Sequence, residues 1–339
     1  MKTKSQISIQ FSWIFILIAG AIILLFFASL VYKQQTLSEQ KLSASVLNQL
    51  ETILTGSGLS PGTINAIDTP ELELNFICDQ DGYSEYSIKG TALTKEIPYD
   101  LIFAPELIKG KKLITWALEF DAPFKVTNFL YLSAPDIKYV LVRPDSDFAR
   151  EVVRGLPENE IIIQEVITLG EVITDGYRAV KLIFFEDDPA IFQIPWSDEI
   201  DTSAIQLTTG TISFYKRNSF DLEQEGTPIA YLDMPSLYGA FFSKDLEFYE
   251  CNMKKAFRKL SLVAEIYADR ENNLKSHFQA NPSILGCELY YQNKILNLLS
   301  DSTQCNQNLR TCISNIISDV SDIMSNQEVL IRKTCPLLY

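Results

Sequence analysis

Charged residues are missing from the chain between Ser5 and Tyr32, and the run from Phe11 to Tyr32 (FSWIFILIAGAIILLFFASLVY) is overwhelmingly apolar. About 20 such residues, rising 1.5 Å each in a helix, cross roughly 30 Å of hydrocarbon, so 11–32 is predicted to be a transmembrane helix. A cleavable secretory signal carries a shorter apolar region of about 7–15 residues followed by a small-x-small site. Here Tyr32-Lys33-Gln34 follow directly, and the anchor is expected to stay attached. Beyond it, Leu37, Val46, Leu47, Leu50, Ile53 and Leu54 recur every three or four residues. That spacing predicts an amphipathic stalk helix over 33–56, ended by Gly56-Ser57-Gly58. Anchor and stalk together would run about 70 Å, half in lipid and half lying on a folded head, with a linker over 57–70.

From Glu71 to Lys216 the pattern changes to the short period of strands. Leu72, Leu74 and Phe76 alternate with polar residues, as do Tyr86 and Ile88; Leu101 to Phe103, Leu113 to Phe120 and Phe129 to Leu132 are short aromatic or branched runs bounded by Pro or Gly. In their midst, Tyr139 to Val142 reads as a strand, Pro144-Asp145-Ser146-Asp147 as a helix start, Ala149 to Leu156 as a short helix and Ile161 to Ile167 as a strand. This is a βαβ unit, and Tyr177 to Phe185 adds another strand to its sheet.

The last third has the 3.6-residue period. Tyr249, Met253, Ala256, Phe257, Leu260, Val263, Ala264 and Tyr267 mark one helix face; Leu309, Ile313, Ile316, Ile317, Val320, Ile323 and Met324 mark another. Leu285 to Leu299 is predicted as a shorter helix between them, with turns at Asn281-Pro282 and Asp301-Ser302-Thr303. The expected architecture is α+β: a cytoplasmic N-terminus (1–10), a transmembrane helix (11–32), a stalk helix (33–56), a linker (57–70), a mixed α/β sheet-containing ectodomain (71–245) and a C-terminal antiparallel helical array (246–339).

Charge then orients this picture. Lys2 and Lys4 precede the span with no acid nearby, which places the N-terminus in the cytoplasm, against a weaker pull from Lys33 and Lys41. The whole chain carries 29 Lys and Arg against 43 Asp and Glu, a formal −14; without the two N-terminal lysines the outer portion stands at −16. Such a surface argues against nucleic acid as a partner. The partners expected are the lipid bilayer, through the N-terminal helix, and other proteins at the cell surface.

Outside the cytoplasm an even set of cysteines, Cys78, Cys251, Cys287, Cys305, Cys312 and Cys335, is expected to be oxidised into three bridges. Fifteen pairings are possible. Counting heights along the predicted helices pairs Cys287 with Cys312 and Cys251 with Cys305, and leaves Cys78 to meet Cys335. Within one continuous helix Cys305 and Cys312 would lie about 10 Å apart, beyond the roughly 7 Å a disulfide spans.

The N-terminal residues Lys4-Ser5-Gln6-Ile7-Ser8-Ile9-Gln10-Phe11 resemble the class III signal of archaeal pilin-like proteins, in which a basic and a small residue precede Gln-x-Ser-x-Glu-Phe and an apolar helix. The resemblance implies cutting between Ser5 and Gln6 by a prepilin-type peptidase. Two departures stand out: Gln10 occupies the glutamate position, and Ser5 replaces the commoner glycine. The phrases ITWALEFDAPFKVTNFLYLSA (Ile114 to Ala134) and FSWIFILIAGAIILLFF also look like those of uncharacterised single-span archaeal membrane proteins.

Candidate chemistry is sparse. Gly58-Leu59-Ser60-Pro61-Gly62 matches G-x-S-x-G formally, but a nucleophile elbow needs a strand before it and a helix after it. The helix start after Val142 carries Asp145 and Asp147 where a phosphate site needs glycines. Asp79-Gln80-Asp81-Gly82-Tyr83-Ser84 begins like a calcium loop and then lacks its later ligands. Glu186-Asp187-Asp188-Pro189 and Asp198-Glu199-Ile200-Asp201 read as solvated strand-end loops, although paired carboxylates also serve glycan hydrolysis. The single histidine, His277, beside a turn, leaves little for proton relays or His-based metal sites. No catalytic, cofactor-binding or metal residue is assigned and no cofactor is expected. The reading that follows is a non-catalytic, single-pass membrane protein with a structural or interaction role at the archaeal cell surface. Its alternatives are a filament subunit processed at Ser5/Gln6 and a membrane-anchored hydrolase of the envelope.

Overall fold

Strands β1 (Ile64–Cys78), β2 (Ser84–Ile88), β3 (Thr94–Glu96), β4 (Ile102–Phe103), β5 (Leu107–Asp121) and β6 (Lys125–Ser133) form one sheet, in the order β3-β2-β1-β5-β6-β4. The structure is a computed structural model describing residues 17, 18, 20–27, 29, 45–78, 84–89, 94–97, 101–157, 159–281 and 286–339. The two 15-residue strands β1 and β5 pair antiparallel from Ile64 opposite Trp116 to Asn75 opposite Leu107, with a bulge between Asp68 and Leu72. Only the short β4 runs parallel to its neighbour, β6.

A second sheet orders β12-β11-β10-β9-β7-β8, from β7 (Ile137–Val142), β8 (Ile162–Val166), β9 (Ala179–Phe185), β10 (Asp201–Leu207), β11 (Thr211–Asn218) and β12 (Asp221–Ala230). The predicted βαβ unit forms one end of it: β7 and the edge strand β8 are parallel and joined through helix α2 (Asp147–Arg154), whose first turn is capped by Ser146 accepting from the Ala149 amide at 3.1 Å. β9 pairs parallel with both β7 and β10, while β10, β11 and β12 are antiparallel. Every residue of β7 and β9 is buried, as central parallel strands covered on both faces must be. The head is thus mixed α/β with two mixed sheets.

Helical residues 45–58, α1, lie on the first sheet. Val46, Leu47, Leu50 and Leu54 are buried there, each such side chain contributing about 1.5–3 kcal/mol when fully covered. Three hydrogen bonds fix the helix: Tyr86 Oη to Leu47 O (2.9 Å), Thr115 Oγ1 to Ser57 Oγ (3.1 Å) and Asn128 Nδ2 to Gly58 O (2.8 Å). The face expected from the Val46, Leu47, Leu50 and Leu54 spacing is the face that docks. Leu37 lies outside the described residues. Of the predicted span 11–32, only 17, 18, 20–27 and 29 are described; they are helical and exposed. Among the described residues no helix is long and apolar enough to cross a membrane. Ser5 and Gln6 lie outside the described residues.

Helices α3 (Met234–Phe242) and α4 (Leu246–Ala280) follow the second sheet, each started by an aspartate: Asp233 accepts from the Ser236 amide and Asp245 from the Phe248 amide. Helices α5 (Lys294–Cys305) and α6 (Leu309–Arg332) complete the chain, α5 packing on α4 and α6 on α5. One apolar cluster runs from Leu50 and Phe76 through Phe103, Trp116 and Phe241 to Ile316 and Leu338, and a smaller one covers the outer face of the second sheet around Val140, Leu182 and Phe184.

All six cysteines are oxidised, as Cys78–Cys251, Cys287–Cys335 and Cys305–Cys312. This overturns the pairing expected from helix heights. The predicted turn at Asp301-Ser302-Thr303 lies inside α5, where Ser302 and Thr303 donate their hydroxyls to Leu299 O, satisfying themselves on the helix backbone instead of breaking it. The chain turns at Asn306-Gln307-Asn308, and Asn308 caps α6 through the Arg310 amide. Cys305 and Cys312 therefore end one helix and begin the next, with Cα atoms 5.3 Å apart. The helix predicted from Leu285 is also shorter: Cys287–Leu289 forms a 3-10 turn and α5 starts at Lys294.

Candidate functional site

Three adjoining hollows open where the first sheet, the second sheet and the α3–α4 junction meet, and Glu106 and Asp201 line all three. A small, partly open pocket of about 50 Å3 is lined by Tyr139, Lys181 and Phe242 among others; grooves of about 480 Å3 and 410 Å3 adjoin it toward Arg178 and toward Lys216. Each wall residue is placed by a strand or helix end. Lys181 is the third residue of β9, paired with Ser203 of β10 on one side and Tyr139 of β7 on the other. Asp201 opens β10, Glu106 immediately precedes β5, and Lys244-Asp245 join α3 to α4.

Lys181 dominates the electrostatics of the pocket. It is 6% exposed, yet its Nζ makes a single hydrogen bond among the described residues, donating to Ser243 O, and stands 5.7 Å from the centre of the Phe214 ring. Burial pushes its pKa down to about 8, against the pull of Asp245, Glu225 and Asp201. Burial likewise holds the Tyr139 hydroxyl well above its ordinary range; it shares a 3.0 Å hydrogen bond with Ser133.

Most other cations around the cleft are engaged. Arg178 binds Asp136 at 2.7 Å and Leu107 O; Arg217 donates to Trp196 O, Ser197 O and Ser219 O and pairs with Asp198 at 2.7 Å. Asp245 caps α4, and Glu225 accepts from the Leu246 amide at 3.4 Å. Glu106 and Asp201 have exposed side chains with no ion-pair partner among the described residues. Chemically, the cleft presents one buried ammonium with donors to spare, two open carboxylates at its rim and the exposed Lys216 along one groove.

The residues singled out in the sequence fall mostly elsewhere. Glu186-Asp187-Asp188 form a pinned loop: Asp187 pairs with Arg143 at 3.3 Å, and Asp188 caps the 3-10 turn Pro189–Ile191 while accepting from Tyr215 Oη at 3.4 Å. Asp198 and Asp201 do reach the cleft. Ser60 follows a helix and precedes β1, opposite to a nucleophile elbow, and its hydroxyl donates to Gly56 O. His277 is exposed in the last turn of α4, its ring edge-on to Phe278. Asp79 to Tyr83 lie outside the described residues, and Ser84 accepts from Lys255 Nζ at 2.8 Å. Among the described residues no three His, Cys, Asp or Glu side chains gather to hold a metal ion.

Lys181 is not among the residues singled out in the sequence. The signal was present: a lysine inside AVKLIFF, an otherwise apolar run that joins a parallel sheet, has no solvent face to turn to. Comparison with known proteins found no matching family model, no matching curated protein and no matching solved structure.

Proposed function

We propose that the chain is a single-pass membrane protein whose head stands outside the cytoplasm and serves a non-catalytic structural or interaction role at the archaeal cell surface. The observation that carries this reading is the oxidation of every cysteine in the chain, three disulfides behind a charge-free N-terminal stretch. Structural disulfides persist in oxidising compartments, and an apolar run of that length partitions into lipid. The test combines alkaline extraction of membranes with protease treatment of intact cells. Retention in the membrane with digestion of the head is expected; release by alkali, or protection of the head, overturns the reading.

A second reading, a filament subunit, is favoured by α1, whose Val46, Leu47, Leu50 and Leu54 pack on the head as a pilin's first helix does. It requires loss of Met1 to Ser5. Intact-mass measurement on protein from native membranes decides it, and a retained Met1 ends it.

A further inference from the structure

A buried ammonium with one acceptor is an incomplete arrangement. Lys255, equally buried at 5% exposure, gives its Nζ to Ser84 Oγ and Ile97 O from one side of the core. Lys181 gives one N–H to Ser243 O and lines the small pocket, where its remaining donors have no partner among the described residues. Donors left unmet at a buried charge cost several kcal/mol, so the pocket calls for an acceptor, and about 50 Å3 suits a carboxylate-sized group or a few waters.

The rim decides between kinds of anion. Glu106 and Asp201 stand open beside the pocket, and Asp245, Glu225 and the exposed Lys216 line the groove that adjoins it. A multiply charged anion such as phosphate would meet these carboxylates at short range, whereas an anion bearing its own cation would be matched by them. We propose that the cleft binds a small zwitterion of the amino-acid type, its carboxylate held by Lys181 in the small pocket and its ammonium by Asp201 and Glu106 at the rim. The adjoining grooves leave room for the ligand's remaining substituent. This rests on reading the head as a binding module, but not on its location: binding is measured on purified protein and the topology assay on cells, so either fails independently.

The test is titration calorimetry on the full chain in detergent, with glycine as probe and acetate, methylamine and phosphate as controls. At pH 7 glycine binds saturably and at least tenfold more tightly than acetate, methylamine or phosphate. The K181M variant loses at least tenfold in glycine affinity, and E106Q/D201N weakens glycine without weakening acetate. Raising the pH to 9 lowers wild-type affinity about tenfold as Lys181 gives up its proton. Asp201, Glu225 and Asp245 act on Lys181 electrostatically, and Glu106 and Lys244 share its walls; the pH effect therefore has to vanish in K181M if Lys181 is its source. No saturable glycine binding, phosphate binding as tight as glycine, or undiminished affinity in K181M overturns the proposal. Should K181M fail to fold, E106Q/D201N alters only exposed side chains, and unchanged glycine affinity there overturns it equally.

Discussion

The sheets and the C-terminal helices share one apolar cluster but are held in different ways. Around the first sheet the interior is aromatic: Phe103 packs on Phe129, Tyr131 and Tyr249, and Trp116 on Tyr131, Tyr238 and Phe242, at centroid distances between 4.9 and 6.1 Å. Helices α5 and α6 present mainly Ile and Leu to that cluster, and five of the six cysteines lie between 251 and 335. A sheet brings distant segments together through its own ladder and buries large rings between layers. An array of helices with modest side chains gains comparatively more from covalent closure of the unfolded chain.

The comparison breaks first at Cys78–Cys251, the one bridge joining β1 to α4. It closes a separation of 173 residues, and the chain-entropy relation assigns such a loop about 5 kcal/mol. The C78A/C251A double variant should lose most of that in denaturant unfolding; a loss below about 1 kcal/mol would show that core packing alone joins the two regions. Next comes Phe103→Ala, which empties a fully buried ring site among Phe129, Tyr131 and Gly239 and should cost about 3–5 kcal/mol. A smaller loss than for Ile316→Ala in α6, where about 2–5 kcal/mol is the usual range, would undo the contrast between an aromatic sheet interior and an aliphatic helical one.

The two regions also differ in how much of them could be read from residues alone. The βαβ unit was legible because Tyr139 to Val142, Ser146 and Ile161 to Ile167 each carry an unambiguous local signal. β12 was not: DLEQEGTPIA holds three acids, a glycine and a proline, and it is a strand because it lies at a sheet edge, where Pro228 and the charges are tolerated. In the helical part the apolar faces of α4 and α6 were visible, but the break between α5 and α6 was not, since Asn306-Gln307-Asn308 contains neither Gly nor Pro. That misplaced turn hid the Cys305–Cys312 bridge, and the 3-10 turn at Cys287 removed the helix height on which its expected pairing rested. The cleft was invisible because Glu106, Lys181 and Asp201 are far apart in sequence and ordinary in type.

Buried charge gives a third way to test the contrast, now inside the second sheet. Since burial lowers the Lys181 pKa from 10.5 to about 8, the folded state holds this proton less tightly than the unfolded chain. The resulting penalty is fully present below pH 8 and fades as the pH rises to 10.5; 2.5 pH units correspond to about 3 kcal/mol. K181M removes both the penalty and the bond to Ser243 O. Its stability relative to wild type should therefore fall by about 3 kcal/mol between pH 7 and pH 10.5 in parallel urea titrations. A pH-independent difference would mean that Lys181 is solvated in the folded protein.

Smaller effects belong to the helices. Cys305–Cys312 closes a separation of only 7 residues, so C305A/C312A should cost about 2–3 kcal/mol, roughly half the loss at Cys78–Cys251. Equal losses would mean that loop length does not govern these staples.

The smallest effect tests the acid counterpart of Lys181. Asp319 of α6 has its pKa raised to about 6 by burial, then by the neighbouring Asp301 of α5 and Asp322; Lys294 pairs with Asp322 at 3.4 Å. The folded state binds this proton more tightly than the unfolded chain, so the contribution is favourable below pH 4 and is lost as the pH climbs through 6. Asp319 is half-buried, and water on its open side screens the repulsion, so Asp319→Asn should stabilise the α5–α6 pair by under about 1 kcal/mol at pH 7.5, with no gain at pH 4. Thermal unfolding of both proteins at the two pH values reads the difference. A gain at pH 4 as large as at pH 7.5 would assign the effect to packing and not to repulsion among the carboxylates.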